Sequence, residues 1–137
     1  MNALFDILCH QVRLMTQQCT CTSLPWTHKS TWIGFSAMFY LAPMFVSKQR
    51  ASWALQALLC FASDYWWAGI PHVSHGMDRW FATYMVLANF PASPWAMLPL
   101  MFLFRSKRAV KQRKYNEYVF NHVLWHFTGP AVFLFHW

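Results

Sequence analysis

The stretch Tyr115–Gly129, YNEYVFNHVLWHFTG, decides how the rest of the chain is interpreted. It begins with polar residues and continues as an apolar helical pattern that carries His122 and His126. Residues four apart lie on the same face of a helix, so both imidazoles face the same neighbour. Neutral imidazole is a common metal ligand, and two of them supply half of a tetrahedral zinc site. The stretch therefore predicts a helix that contributes two ligands to a metal ion.

The composition indicates a chain whose apolar surface faces something other than water. Of the 137 residues, 57% are hydrophobic and 11% are charged, whereas a soluble domain carries about twice that share of charge. The eleven Lys and Arg residues outnumber four Asp and Glu, and they lie between apolar runs, as the positive loops of membrane proteins do. Nucleic-acid binding requires a basic face on a folded domain, so nucleic acid is not an expected partner. The expected partners are membrane lipids, with other membrane subunits as a further class.

Five apolar runs predict an all-α, polytopic membrane helix bundle over residues 31–137. Several runs are shorter than the ~20 residues that a spanning helix prefers, and the prolines between the third and fourth leave a re-entrant pair open. Residues 1–30 form a separate amphipathic segment whose apolar spacing suits either an interfacial helix or an ordinary packing helix. The five runs are about Thr31–Val46, Ala51–Ala68, Met77–Phe90, Pro91–Phe104 and Tyr118–Phe135.

A basic stretch, RSKRAVKQRK over Arg105–Lys114, is predicted to be a loop on the cytoplasmic side or its organellar equivalent. In a five-span topology it shares that side with Gly69–Gly76, while Trp137 lies on the other. The expected location is an integral membrane one, in the inner mitochondrial membrane or the endoplasmic reticulum. The residues predicted to bind lipid head groups are Arg105, Lys107, Arg108, Lys111, Arg113 and Lys114.

The same topology brings many of the polar residues of the chain to one membrane face. Ionisable residues at membrane depth cost roughly 2.5–3.5 kcal/mol each, so such a gathering indicates a functional site. Each residue alone is also compatible with a structural role, as a helix cap, an ion pair or a buried histidine bonded to a carbonyl. The set comprises Ser63, Asp64, His72, Ser74, His75, Asp78, Arg79, His122 and His126.

The motif HVLWHFTG at His122–Gly129 resembles the last-helix signature of the alkaline ceramidase, adiponectin-receptor and Per1-like (CREST) membrane hydrolase superfamily. Members carry two histidines four apart in the final span. They also carry a serine and a histidine four apart near the end of an early span, and an aspartate shortly afterwards. The resemblance covers two blocks, Ser63–Arg79 and His122–Gly129. Trp67 occupies the position four after Ser63, so the third histidine must be His75 or, as second choice, His72.

The resemblance implies a zinc-dependent hydrolase of a lipid amide or ester. Zinc in such a site lowers the pKa of a bound water, an aspartate accepts its proton, and a hydroxyl donates to the oxyanion. Carboxylate and guanidinium neighbours would orient the ligands. The hypothesis assigns the zinc ligands to His75, His122 and His126, the general base to Asp78, the oxyanion donor to Ser63 and the orienting role to Asp64 and Arg79.

A non-catalytic alternative fits the same composition. Small size, short apolar runs and many aromatic residues suit an accessory subunit of a large respiratory or photosynthetic membrane complex that binds lipids. The polar cluster would then be the remnant of a former site, or would bind a lipid head group or a haem through His122 or His126.

Overall fold

The computed structural model describes residues 24–26, 28–89 and 94–136, and this part of the chain consists of five α-helices extended by tighter or wider turns. The elements, in chain order, are α1 (Thr31–Ser36) with a 3-10 helix (Ala37–Phe45), α2 (Arg50–Phe61) with a π-helical turn (Ala62–Trp66), α3 (Ser74–Asn89), a 3-10 turn (Pro94–Ala96), α4 (Met97–Lys111) and α5 (Tyr115–Phe135). Each of the five predicted apolar runs corresponds to one of these segments.

The predicted all-α class is confirmed, but the spanning of a membrane is not shown. None of the helices in the described residues combines the length and the apolar character that crossing a bilayer requires. Most of the interfacial helix predicted for residues 1–30, and the terminal Trp137, lie outside the described residues. The predicted placement of loops on the two sides of a membrane therefore stays a prediction.

The prediction of a loop over Arg105–Lys114 was wrong, because α4 continues to Lys111. The stretch contains Arg, Lys, Ala and Gln, which favour helix, and no glycine or proline that would end it. Arg108 and Lys111 lie in the last turn, where positive charge favours the helix dipole. The connection to α5 is reduced to a short turn that includes Arg113 at a φ of 55°.

Helix α5 passes through two hydrophobic clusters, and the polar site lies between them along the helix. Tyr118, near its start, packs with Ile33 of α1 and Ala109 of α4. Phe133, near its end, belongs to the larger cluster and packs on Trp53, with ring centroids 4.8 Å apart. His122 and His126 lie between Tyr118 and Phe133 in sequence, so their side chains are enclosed by packed elements on both sides.

The end of α2 widens into a π-helical turn, closed by a hydrogen bond of 2.9 Å from the Trp67 backbone N–H to the Ala62 carbonyl. Such turns shift the direction in which the following side chains point and are frequent at functional sites. Gly34 of α1 lies against this turn, because a Cβ at this position would meet the Tyr65 ring at 3.0 Å. The glycine thus allows α1 to approach the turn that carries Ser63 and Asp64.

Candidate metal centre

The carboxylate of Asp64 lies against both histidines of α5. Its Oδ2 is 3.0 Å from Nε2 of His122 and 3.3 Å from Nε2 of His126. The sulfur of Cys60, one α-helical turn before Asp64, is part of the same group, in which Cys60, Asp64 and His126 place ligand atoms within 4.8 Å of one another. We refer to Cys60, Asp64, His122 and His126 as the Asp64 cluster.

Two buried serines hold the far nitrogens of the two histidines. Ser36 Oγ of α1 is 2.8 Å from Nδ1 of His126, and Ser106 Oγ of α4 is 3.1 Å from Nδ1 of His122. Both serines are about 2% exposed. Metal-binding histidines characteristically have a hydrogen-bond partner on the ring nitrogen that faces away from the metal, because that partner fixes the tautomer and the ring orientation. Side chains from α1, α4 and the π-helical turn thus converge on α5.

The Nε2 atom of His126 is fully buried and has no hydrogen-bond partner. Ser36 Oγ lies 2.8 Å from both the Ile33 carbonyl and Nδ1 of His126. When the hydroxyl donates to the carbonyl, Nδ1 carries the ring proton and donates to Ser36 Oγ. In the neutral ring the other nitrogen then carries a lone pair. This lone pair faces the Asp64 oxygen across 3.3 Å without hydrogen-bond alignment. A metal ion bound between His126 Nε2 and Asp64 Oδ2 would stabilise these two electron-rich atoms at this separation.

The donor set matches the ligands that zinc uses. Zinc takes cysteine sulfur, histidine nitrogen and carboxylate oxygen, and bonds of 2.0–2.3 Å in a tetrahedron place the ligand atoms roughly 3.3–3.8 Å apart. The Asp64 oxygen lies at the lower end of that range from Nε2 of His126, at 3.3 Å, and below it from Nε2 of His122, at 3.0 Å. Cys60 Sγ also donates to Asp78 Oδ1 at 3.1 Å. The Asp64 cluster could therefore hold a metal with small adjustments of its side chains.

The electrostatics of the cluster favour an ionised Asp64. Burial acts to raise the pKa of this carboxyl, but the charge of His122 and the contacts with both histidines hold it well below its usual range. Burial lowers the pKa of His126, and the interaction with Asp64 opposes this only in part. An anionic carboxylate beside a neutral imidazole is the protonation state in which metal ligands bind.

Asp78 lies next to the cluster, and its pKa is raised, whereas that of Asp64 is lowered. Its Oδ1 accepts hydrogen bonds from Gln56 Nε2 at 3.0 Å and from the Cys60 thiol at 3.1 Å. Burial and the charge of Asp64 raise the pKa of Asp78 to about 7. A carboxyl with this pKa can take up and release a proton at neutral pH, as a general base must. The structure thus brings Asp78 into contact with the Asp64 cluster, and its role as a general base stays a prediction.

Ser63 and His75 also lie at the site, but His75 does not join the Asp64 cluster. The Ser63 hydroxyl is 3.2 Å from Asp64 Oδ1 and 3.0 Å from His75 Nδ1. The other ring nitrogen of His75 bonds the Ile70 carbonyl at 2.8 Å. Both nitrogens of His75 are therefore occupied by hydrogen bonds. The place predicted for a third histidine ligand is filled by Asp64, which the sequence analysis had assigned only an orienting role.

The second choice for that ligand, His72, is held elsewhere. Its ring stacks on Trp67 with centroids 4.0 Å apart, and its Nδ1 lies 2.9 Å from Ser74 Oγ. These contacts fold the connection between the π-helical turn and α3 onto itself. His72 and Trp67 thus have a structural role.

A cavity of about 500 Å³ opens beside the cluster. Ser63, Asp64, Asp78 and His122 line it, together with apolar side chains of α3 and α4. Arg79, predicted to orient the ligands, lies instead on the exposed part of the cavity wall. A volume of this size is typical of sites for small organic ligands.

The six basic residues predicted to bind lipid head groups are all exposed, on the second half of α4 and in the turn that follows. Lys114 pairs with Glu117 at 3.5 Å, and both side chains are more than half exposed. An ion pair of this kind contributes little to stability. The arrangement leaves this surface accessible to an anionic partner.

Sequence reasoning missed four residues that build the site. Cys60 precedes Asp64 by the same four positions that separate the two histidines of α5, and this spacing is the signal that could have identified the pair. Ser36, Ser106 and Gln56 carry no signal in one sequence, because each acquires its role only when α1, α4 and α2 pack around the cluster.

Comparisons with protein-family models, with curated proteins and with solved structures find no match for this chain.

Proposed function

We propose that this protein is a zinc-dependent hydrolase that acts on a lipid amide or ester. The observation that supports this most strongly is the pair of Nε2 atoms directed at one ionised carboxylate, one of which is buried without a hydrogen-bond partner. The serine contacts behind both histidines support the same assignment, because they hold the rings in ligand orientation.

The resemblance of Ser63–Arg79 and His122–Gly129 to the CREST superfamily supports the proposal. Ser63 and Asp78 have the separation of the superfamily serine and aspartate, and His122 and His126 match its final pair. Trp67 stands where the superfamily has its third histidine. Zinc would therefore be held by Asp64, His122 and His126, with Cys60 beside them.

The residues around the cluster divide the chemistry between them. Zinc bound there supplies Lewis acidity toward water and toward a carbonyl oxygen. Asp78, with its raised pKa, accepts the proton of the attacking water and returns it to the leaving group. The Ser63 hydroxyl lies in the cavity wall and donates to Asp64 Oδ1 at 3.2 Å. Rotated away from Asp64, it would donate to a developing oxyanion. The apolar part of the cavity accepts the chain of a lipid substrate.

Metal analysis of paired histidine variants tests the proposal. Wild-type protein and His72→Gln should copurify with one equivalent of zinc and hydrolyse p-nitrophenyl decanoate, whereas His126→Gln should lose both properties. His72 is the matched control because it is also a partly buried histidine bonded to a serine, but outside the Asp64 cluster. Wild-type protein that neither retains nor takes up zinc would refute the proposal.

A second candidate function is that of a non-catalytic accessory subunit in a membrane complex, respiratory or photosynthetic. The supporting observation is the number of large apolar side chains on the surface, among them Phe45, Leu87 and Phe135, each more than 80% exposed. Aromatic residues at this exposure are typical of surfaces covered by lipid or by another protein. Native mass spectrometry of the protein purified from membranes in mild detergent would identify stoichiometric partner subunits if this candidate is correct.

The location that suits either candidate is a membrane, with the inner mitochondrial membrane or the endoplasmic reticulum as the proposed compartments. The exposed basic residues of α4 and the following turn would contact anionic lipid head groups there.

A further inference from the structure

The cavity beside the Asp64 cluster changes from polar to apolar along α3. The residues of α3 that line it recur at spacings of three and four, so they form one stripe along the helix. His75, Asp78 and Arg79 lie in the first half of the stripe, and Val86 and Leu87 lie in the second. From Arg79 to Leu87 the helix rises by about 12 Å. One helix thus offers charged groups at one end of the cavity and an apolar wall at the other.

Along helix α4 the residues that line the cavity change from apolar to polar, which is the reverse of the order along α3. Leu100 and Leu103 come first in its cavity-lining stripe, and Ser106 and Lys107 follow. Ser106 contacts His122, so the polar half of this stripe lies at the Asp64 cluster. Asp78 of α3 lies at the same cluster through Cys60. The polar halves of α3 and α4 therefore meet at one end of the cavity.

The charges at the polar end favour a negative ligand group. Asp64 pairs with His122, and Asp78 is partly buried and accepts hydrogen bonds from Gln56 and Cys60. The exposed charged side chains in the cavity wall are Arg79 and Lys107. These two come from different helices, α3 and α4, and both line the cavity. Cations at an exposed rim attract charged ligands and orient their binding.

We propose that the cavity binds a single-chain anionic amphiphile, with its negative group at Arg79 and Lys107 and its apolar chain against Val86, Leu87, Leu100 and Leu103. This inference rests on the proposed function, since it specifies the substrate or the released carboxylate product of the same site. The bond to be cleaved would lie at the polar end, next to Asp78. The binding selectivity itself requires neither zinc nor turnover.

Calorimetric titration of zinc-stripped protein in a non-ionic detergent tests the inference apart from catalysis. The probes are decanoate, 1-decanol and decyltrimethylammonium, which share one chain length and differ in the charge of the head. Decanoate should bind about tenfold more tightly than decyltrimethylammonium, with 1-decanol between them, as expected for pairing with partly exposed cations. Equal binding of the three probes, or preference for the cationic one, would overturn the inference even in a protein that binds zinc and hydrolyses esters.

Variants locate the two ends of the ligand. Arg79→Gln and Lys107→Gln should each weaken decanoate binding several-fold and leave 1-decanol unchanged, whereas Leu103→Trp, which fills the apolar end, should weaken all three probes. Lys111→Gln is the matched control, because Lys111 is an exposed lysine one turn after Lys107 that does not line the cavity. An equal effect of Lys107→Gln and Lys111→Gln on decanoate would contradict the proposed position of the anion. Selective binding by a protein without zinc or esterase activity would refute only the proposed function.

Discussion

The chain contains two pairs of neighbouring histidines that look similar in sequence and differ in structure. His72 and His75 bond residues within five positions of themselves or the nearby Ser63, and His72 stacks on Trp67. His122 and His126 instead contact Asp64, which lies more than fifty positions away, and each has a serine from another helix behind it.

The difference shows what distinguishes a candidate site from a folded connection. Local hydrogen bonds satisfy a polar side chain cheaply, because the partner is already nearby in the chain. Bringing four elements together around one carboxylate costs desolvation of every group involved. A cluster of this kind is retained when it contributes something beyond stability, which makes it the better place to look for chemistry.

The largest effect on the rate of hydrolysis is expected from Asp78, which lies at the Asp64 cluster. If Asp78 is the general base, Asp78→Asn should lower the hydrolysis rate by about 10²- to 10⁴-fold. In wild-type protein the rate should rise with pH through about 7, because the base form of Asp78 appears in that range. Steady-state hydrolysis of p-nitrophenyl decanoate between pH 5 and 9 measures both effects. An unchanged pH profile in Asp78→Asn would remove the residue from the mechanism.

The next effect is on stability. It compares the contacts of Asp64 with the two histidines of α5 and the hydrogen bonds of His75. Asp64→Asn removes the charge shared by His122 and His126 and should lower the free energy of unfolding of the metal-free protein by about 3 kcal/mol. His75→Gln, which alters only local hydrogen bonds, should cost about 1 kcal/mol. Urea unfolding measures both. Equal costs would mean that the Asp64 cluster is energetically no different from the connection before α3.

The contribution of Asp64 to the free energy of unfolding should depend on pH in one direction. The folded-state pKa of Asp64 is lowered, so the stability it contributes is complete above the unfolded-state pKa of about 3.9 and is lost as the pH falls further. The difference in unfolding free energy between wild type and Asp64→Asn should therefore be constant near neutrality and shrink below pH of about 4. A difference that grew on acidification would mean that Asp64 is buried as the neutral acid.

Much of the helical layout follows from the sequence because it depends on local patterns. The apolar runs identify the five helices of residues 28–89 and 94–136, and the spacing of His122 and His126 places both rings on one face of α5. Polar residues of two separate runs, Ser63 and Asp64 from the second and Asp78 from the third, also lie together in the structure. These inferences needed only helical periodicity and a sense of which ends of the runs meet.

The remaining parts of the site depend on packing, which one sequence does not reveal. His75 was assigned as a ligand because Trp67 occupies the position of the superfamily's third histidine, but both ring nitrogens of His75 are bonded, one to Ser63 and one to the Ile70 carbonyl. Ser36 could not be predicted, because a serine in an apolar run has many roles and acquires this one only through the close approach of α1 to the π-helical turn.

The smallest effect, and the most direct test of the comparison, uses one serine from each histidine pair. Ser36 and Ser74 are both buried and each lies within 3 Å of a histidine Nδ1, that of His126 and that of His72. If His126 is a zinc ligand, Ser36→Ala releases its ring orientation and should weaken zinc affinity by about 10- to 100-fold. Ser74→Ala should leave zinc affinity unchanged, because His72 lies outside the Asp64 cluster. Competition with a chromogenic chelator measures both constants, and circular dichroism checks that both variants stay helical. Equal zinc affinities in the two folded variants would mean that Ser36 holds His126 for packing alone. The two histidine pairs would then differ in the sequence separation of their contacts without differing in chemistry.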